Sequence, residues 1–175
     1  MEIKKYLLFS ILSLVVLSSC SLLFDESLQL KREIIKKSPL KMDGYYYHEW
    51  GDPANRSIFF FYQNGIIYRN TFFEIDSTDN YEKKIRYKYS DDNFIWKGGV
   101  FSISNDIIKY EFLYCAETCK AYIDEGKILN DTTFVITESY RLRKNGTKKK
   151  VRKKEETYHF KQFSPKPDST NSFIK

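Results

Sequence analysis

The residue types able to do chemistry are few in this chain, and they stand apart from one another. His48 and His159 lie at opposite ends of the sequence, each in a strand-like run, with no acid or nucleophile at a spacing that would make a general base of either. The acid pairs Asp91-Asp92 and Asp124-Glu125 fall at turn-like positions, where solvated charge is the ordinary state. Cys115 and Cys119 in "CAETCK" have neither the CxxC spacing of a redox pair nor a nearby His to complete a zinc set. No Gly-rich phosphate loop and no nucleophile elbow occurs. The expectation is a protein that is not an enzyme, with no catalytic residue, metal or cofactor. The one dense constellation is electrostatic: "RLRKNGTKKKVRKKEE", residues 141–156, carries nine Lys and Arg between Arg141 and Lys154. The whole chain has a formal charge of only +6, so everything outside this run is net negative.

The elements that must position these residues are mainly strands. Aromatic residues make up 17% of the chain, with 14 Tyr and 14 Phe, and Ala is scarce, a composition that suits pleated surfaces and makes few helices. Strands are predicted within Leu40–Trp50, then over Ser57–Tyr62 and Ile66–Ile75 around Asn64-Gly65, which tolerates the positive φ of a tight hairpin. Residues 79–89 allow a helix by the recurrence of Tyr81, Ile85 and Tyr89, but Ile85, Tyr87 and Tyr89 alternate strictly with Lys84, Arg86 and Lys88, which favours a strand at about 84–89. Further strands follow over Phe94–Ser104, Ile107–Tyr114, Lys120–Asp124, Lys127–Asn130, Thr133–Arg143 and Lys148–Phe163. Short strands separated by tight turns describe an antiparallel meander. Closure into a β-barrel of about eight strands would remove its exposed edges and leave an interior that is filled or holds one small ligand.

The N-terminus supplies an address. Lys4-Lys5 precede twelve almost wholly apolar residues, Tyr6–Leu17, too short to span a bilayer but of the size of a secretory signal peptide. Leu17-Ser18-Ser19-Cys20 resembles the lipobox of bacterial lipoproteins, which implies cleavage before Cys20 and a lipid-bearing Cys20 as the membrane anchor. Ser21, where Asp would imply inner-membrane retention, makes the outer membrane the better expectation. The chain then divides into a signal peptide (1–19), a lipidated Cys and tether (20–39) with a short helical turn possible around Leu30–Lys36, a barrel domain (40–165) and a tail (166–175). In so oxidising a compartment Cys115 and Cys119 are expected to form a disulfide.

Several segments are similar to a family of small lipoproteins of Bacteroidota with a lipocalin-like fold: "DGYYY" at 43–47, "QNGIIY" at 63–68, "GGVFSI" at 98–103, "KAYIDEGKILNDTTFVIT" at 120–137 and "KPDSTNSF" at 166–173. Gly44-Tyr45-Tyr46 stands where lipocalins carry Gly-x-Trp. The resemblance implies a barrel with a cavity and no particular ligand. A small apolar or amphipathic molecule is the expected ligand, with Tyr45, Tyr47, Tyr68, Trp96 and Tyr110 as candidate lining residues whose rings or hydroxyls would meet it.

The basic run has two registers. A two-residue turn at Asn145-Gly146 pairs Arg143 with Lys148, Arg141 with Lys150, Ser139 with Arg152 and Thr137 with Lys154, putting cations outward, but needs a bulge between about Arg152 and Thr157 to bring Tyr158 and Phe160 inward. A three-residue turn, Lys144–Gly146, needs no bulge but points Lys148, Lys150, Arg152 and Lys154 inward, which is costly unless they line a wet cavity. The first is the preferred expectation. It makes Arg141, Arg143, Lys148, Lys150 and Arg152 candidate contacts to anionic lipid head groups, lipopolysaccharide or an acidic partner, whereas secretion argues against nucleic acid.

Overall fold

A computed structural model of the chain describes residues 27–51, 55–72, 82–83, 98–115, 119–166 and 169. Eight strands follow in order: β1 (Gly44–Trp50), β2 (Asn55–Phe61), β3 (Ile66–Phe72), β4 (Gly98–Ser104), β5 (Ile107–Cys115), β6 (Cys119–Asn130), β7 (Thr133–Leu142) and β8 (Lys148–Gln162). Each pairs antiparallel with its neighbour in sequence, and β1 pairs with β8 through Tyr46 opposite Phe160, so the sheet is a closed barrel. The mainly β class, the meander and its closure are as expected.

One predicted turn is absent. Lys120–Asp124 and Lys127–Asn130 are one strand, β6, because Glu125-Gly126 is a register shift inside the ladder and not a turn. A Cβ on Gly126 would collide with the carbonyl of Val135, so the close approach of β7 requires glycine there. The segment at 84–89 and Trp96 lie outside the described residues, as does the end of the strand predicted to reach Ile75. β3 pairs directly with β4.

The rings expected in the interior fill its centre. Tyr46, Phe59, Phe61, Phe101, Tyr110, Phe112, Phe134 and Tyr158 form one buried cluster with Ile67, Ile108 and Ile136. Phe134 and Tyr158 stack at 4.9 Å and Phe59 meets Tyr110 at 4.8 Å. Such pairs each add about 0.5–1.5 kcal/mol beyond their area burial.

Residues 27–39 are not a free tether and contain no helical turn among their described positions. They form a strap that runs down the outside of the barrel. The amides of Gln29 and Leu30 donate to the Glu111 carboxylate at 2.6 and 2.7 Å, Ile35 N–H donates to Gln63 O, and the Glu33 backbone crosses Gly65, where φ is +80° and a Cβ would not fit. Leu28 and Leu30 pack on an outer-wall cluster of Tyr45, Ile58, Phe60, Tyr62, Ile66, Tyr68 and Val100. Leu40 then turns under the barrel and joins the interior cluster, with Ile35 and Met42 beside it. The strap therefore closes the end that carries the β2–β3, β4–β5 and β6–β7 turns. The tail also returns to this end, where Lys166 donates to the carbonyls of Met42 and Phe61 and Asn64 donates to Ser169.

Candidate functional site: the charged mouth of the barrel

The opposite end carries the β5–β6 and β7–β8 connections, and there the inward face changes from rings to charge. Three local irregularities cause the change. On β7, Phe134 and Ile136 face the core, but one extra residue at Thr137, set against the shift at Glu125/Gly126 of β6, reverses the alternation beyond it. Ser139 and Arg141 thus turn inward, while Glu138 and Tyr140 turn out to meet Lys148 and Glu125. On β8 the residue out of step is Lys150, held at φ +53°. From Arg152 onward Lys154, Glu156, Tyr158 and Phe160 share the inner face. A third shift, between Ile136 and Glu138 in the β7–β8 ladder, keeps the strands paired.

The hairpin register is consequently a correction of the preferred expectation. Gly146 N–H donates to Arg143 O and Arg143 N–H to Thr147 O, with Gly146 at φ +79°, so the turn is the three-residue one. Leu142 pairs with Lys148 and Arg141 with Lys149, although Ser139 does lie opposite Arg152. The shift anticipated between Arg152 and Thr157 is there, opposite Ile136/Glu138, but the strand that changes face is β7.

Arg152 and Lys154 face inward at tolerable cost because the space is polar and, among the described residues, only partly enclosed. A cavity of about 340 Å³ is lined by Tyr114, Tyr122, Ser139, Arg152 and Lys154. Lys154 Nζ lies 3.3 Å from both Asp124 Oδ2 and Glu156 Oε1. Burial alone would push this ammonium down, but the two carboxylates outweigh it and hold Lys154 above the ordinary lysine value. Tyr158 donates to Glu156 at 3.2 Å. Tyr114 and Tyr122 meet edge to face at 5.5 Å, with Arg69 packed 4.2 Å over the Tyr114 ring and bonded to its hydroxyl, and Arg141 5.7 Å over the Tyr122 ring. Burial pushes the Tyr110 and Tyr158 hydroxyls far up, so both are neutral donors. Asp124 Oδ1 and the Tyr110 hydroxyl are buried without a hydrogen bond of normal geometry, the latter in only loose contact with Tyr158.

The residues singled out in the sequence divide unevenly about this site. Tyr45 and Tyr68 are buried in the outer wall beneath the strap, and Tyr47 lies on the same face beside Arg56 and His159, so these three line no interior pocket. The reason is parity: Tyr46 takes the inward position of β1. Tyr110 is interior, in the core just beneath the chamber. Arg141, at 8% exposure, is no surface contact, and Lys148 is drawn onto Glu125, Glu138 and the Tyr140 ring. Arg143 and Lys150 are exposed, and Arg152 is exposed at the rim of the cavity. Cys119 is disulfide-bonded and lies opposite Cys115 in the β5–β6 ladder. His48 Nδ1 stands 3.0 Å from the Thr157 carbonyl and its ring stacks on Trp50.

Sequence reasoning missed Arg69, Tyr114, Tyr122, Asp124 and Ser139, and placed Lys154 inward only in the register that it did not prefer. A signal existed for the tyrosines: pairing Cys115 with Cys119 sets Phe112 opposite Tyr122, and Phe112 faces the core. Compared with protein families, curated proteins and solved structures, the chain matches no family model, no curated protein and no solved structure.

Proposed function

We propose that this chain is a lipid-anchored envelope protein, held by Cys20 in the outer membrane, whose lipocalin-like barrel binds a small amphipathic molecule at its mouth without transforming it. The observation that carries the reading is the division of the interior: rings pack the centre, and above them a partly enclosed chamber of about 340 Å³ is walled, among the described residues, by Tyr114 and Tyr122 and edged by charge. That volume is at the lower end of ligand sites. The molecule would therefore be shorter and more polar than an acyl chain. A non-enzymatic role is supported by the histidines, since His48 is turned to a backbone carbonyl and His159 is exposed.

The test is to isolate the native protein from membranes and extract it for mass spectrometry. A stoichiometric small molecule, lost in Tyr122→Ala, is the expected result. Protein that is empty in repeated preparations and takes up nothing saturably from an envelope extract would overturn the reading. Replacing Cys20 with Ala should at the same time move the protein from the membrane to the soluble fraction, since the acyl chains supply the anchor.

A second reading has its own observation. Arg143, Lys144 and Lys150 are exposed at the tip of the β7–β8 hairpin, beside the mouth, with no ion pair among the described residues. In this reading the tip contacts anionic head groups or an acidic partner.

A further inference from the structure

We propose that the mouth chamber is a binding site for a small oxyanion, a phosphate or carboxylate group, gripped by the Arg152 guanidinium with the hydroxyls of Ser139 and Tyr122. This rests on reading the chamber as a ligand site, and it names the chemistry that the site selects.

The donors are unused among the described residues. Neighbouring cations are committed: Lys154 to Asp124 and Glu156, Lys148 to Glu125 and Glu138, Arg69 to the hydroxyl and ring of Tyr114. Arg152 has no ion pair or hydrogen bond among the described residues, and its planar fork fits two oxygens of one anion. Ser139 and Tyr122 line the same cavity, and their hydroxyls likewise make no hydrogen bond among the described residues. Ser139 stands directly opposite Arg152 in the ladder and is only 7% exposed, so it is fixed by the sheet.

Charge favours the same ligand. Among the described residues, Arg69, Arg152 and Lys154 stand with Asp124 and Glu156 in and around the chamber, and a concave surface of net positive charge with apolar walls concentrates anions. Beside the cavity, Asp124 Oδ1 is buried without a hydrogen bond, a state that native proteins relieve with a ligand group or an ordered water. A hydroxyl carried next to the anionic group would supply the donor that Asp124 lacks. The ligand class is thus a short hydroxylated phosphate or carboxylate.

The experiment is calorimetric titration of the full-length protein in a non-ionic detergent, at constant ionic strength, with inorganic phosphate, acetate and glycerol 3-phosphate in turn. Saturable binding at one anion per chain is expected for at least one of the three. Arg152→Ala should weaken it about tenfold, the loss of one charge-assisted hydrogen-bond pair, and Ser139→Ala about threefold. The tip variant Arg143→Ala/Lys144→Ala should change it less than about twofold. Circular dichroism checks that each variant is folded. No saturable binding of any of the three anions, or an equal loss in the tip variant, overturns the proposal. Vesicles containing phosphatidylglycerol, titrated in parallel, assign the source: Arg152→Ala weakening vesicle and glycerol 3-phosphate binding alike supports a lipid head group, and weakening the free anion alone supports a soluble one. If these anions bind as described while no organic molecule co-purifies, the site stands and the carrier reading falls; a co-purifying molecule without anionic oxygen, together with failed titrations, does the reverse.

Discussion

Single residues in this barrel are tuned mainly by burial. Lys166 has its ammonium between the carbonyls of Met42 and Phe61, at 2.5 and 2.7 Å, and 4.2 Å over the Tyr62 ring. Burial pushes it down to about 8 against a weak opposing pull from Asp43. A lysine whose folded value lies below its unfolded value of 10.5 is penalised while it is charged, at pH below about 8, and the penalty is relieved as pH rises from 8 toward 10.5. Stability should therefore increase from pH 8 to about 10, a gain absent from Lys166→Met. Above that, buried Tyr45 and Tyr46, whose hydroxyls are pushed up by burial, favour the unfolded chain, where they ionise more readily. Denaturant midpoints across this range, with the Lys166 side-chain carbon shift followed by NMR, provide the check. A Lys166 midpoint at the unperturbed value would contradict the burial assigned to it.

Among the elements, the strap was the least legible. Its apolar residues, Leu28, Leu30, Ile35 and Leu40, have no clean period, so the sequence reads as a linker. They are spaced for two surfaces, the outer wall and the base. Glu111 is the fixed point, a buried carboxylate whose value burial raises while the amides of Gln29 and Leu30 oppose the rise. Leu40 is 3% exposed and closes the base of the core, so Leu40→Ala should cost about 2–4 kcal/mol, read from urea unfolding with an unchanged slope. A loss below about 1 kcal/mol would mean that the base does not depend on this plug. The strands, by contrast, were readable from alternation and turn chemistry, and Asn64-Gly65 and Asn145-Gly146 both mark hairpins, each with its glycine at positive φ.

At the scale of the whole molecule the barrel is polarised, with a plugged apolar base and a charged mouth, and the basic hairpin projects from the mouth end. If the tip meets an anionic surface, Arg143→Gln/Lys144→Gln/Lys150→Gln should reduce binding to phosphatidylglycerol vesicles in low salt on the order of 100-fold, at about 1 kcal/mol per cation. Equal binding by the triple variant and the parent would retire that contact, and Arg141 and Lys148 belong outside such a test because one is buried and the other is paired. The sequence by itself determined the meander and the places of the Asn-Gly hairpins, because alternation and Asn-Gly turns are local properties, but it broke β6 at Glu125-Gly126 and preferred the wrong turn length at Asn145-Gly146. It also located the nine cations between Arg141 and Lys154. Only the tertiary structure decided which way those cations point. Facing is inherited across neighbouring strands, so an extra residue at Thr137 and another at Lys150 reverse what a count along β7 or β8 predicts. The inward charge is stable because Asp124, on β6, and Glu156, on β8, stand where Lys154 arrives, and the Asp124 partnership exists only once β6, β7 and β8 have paired.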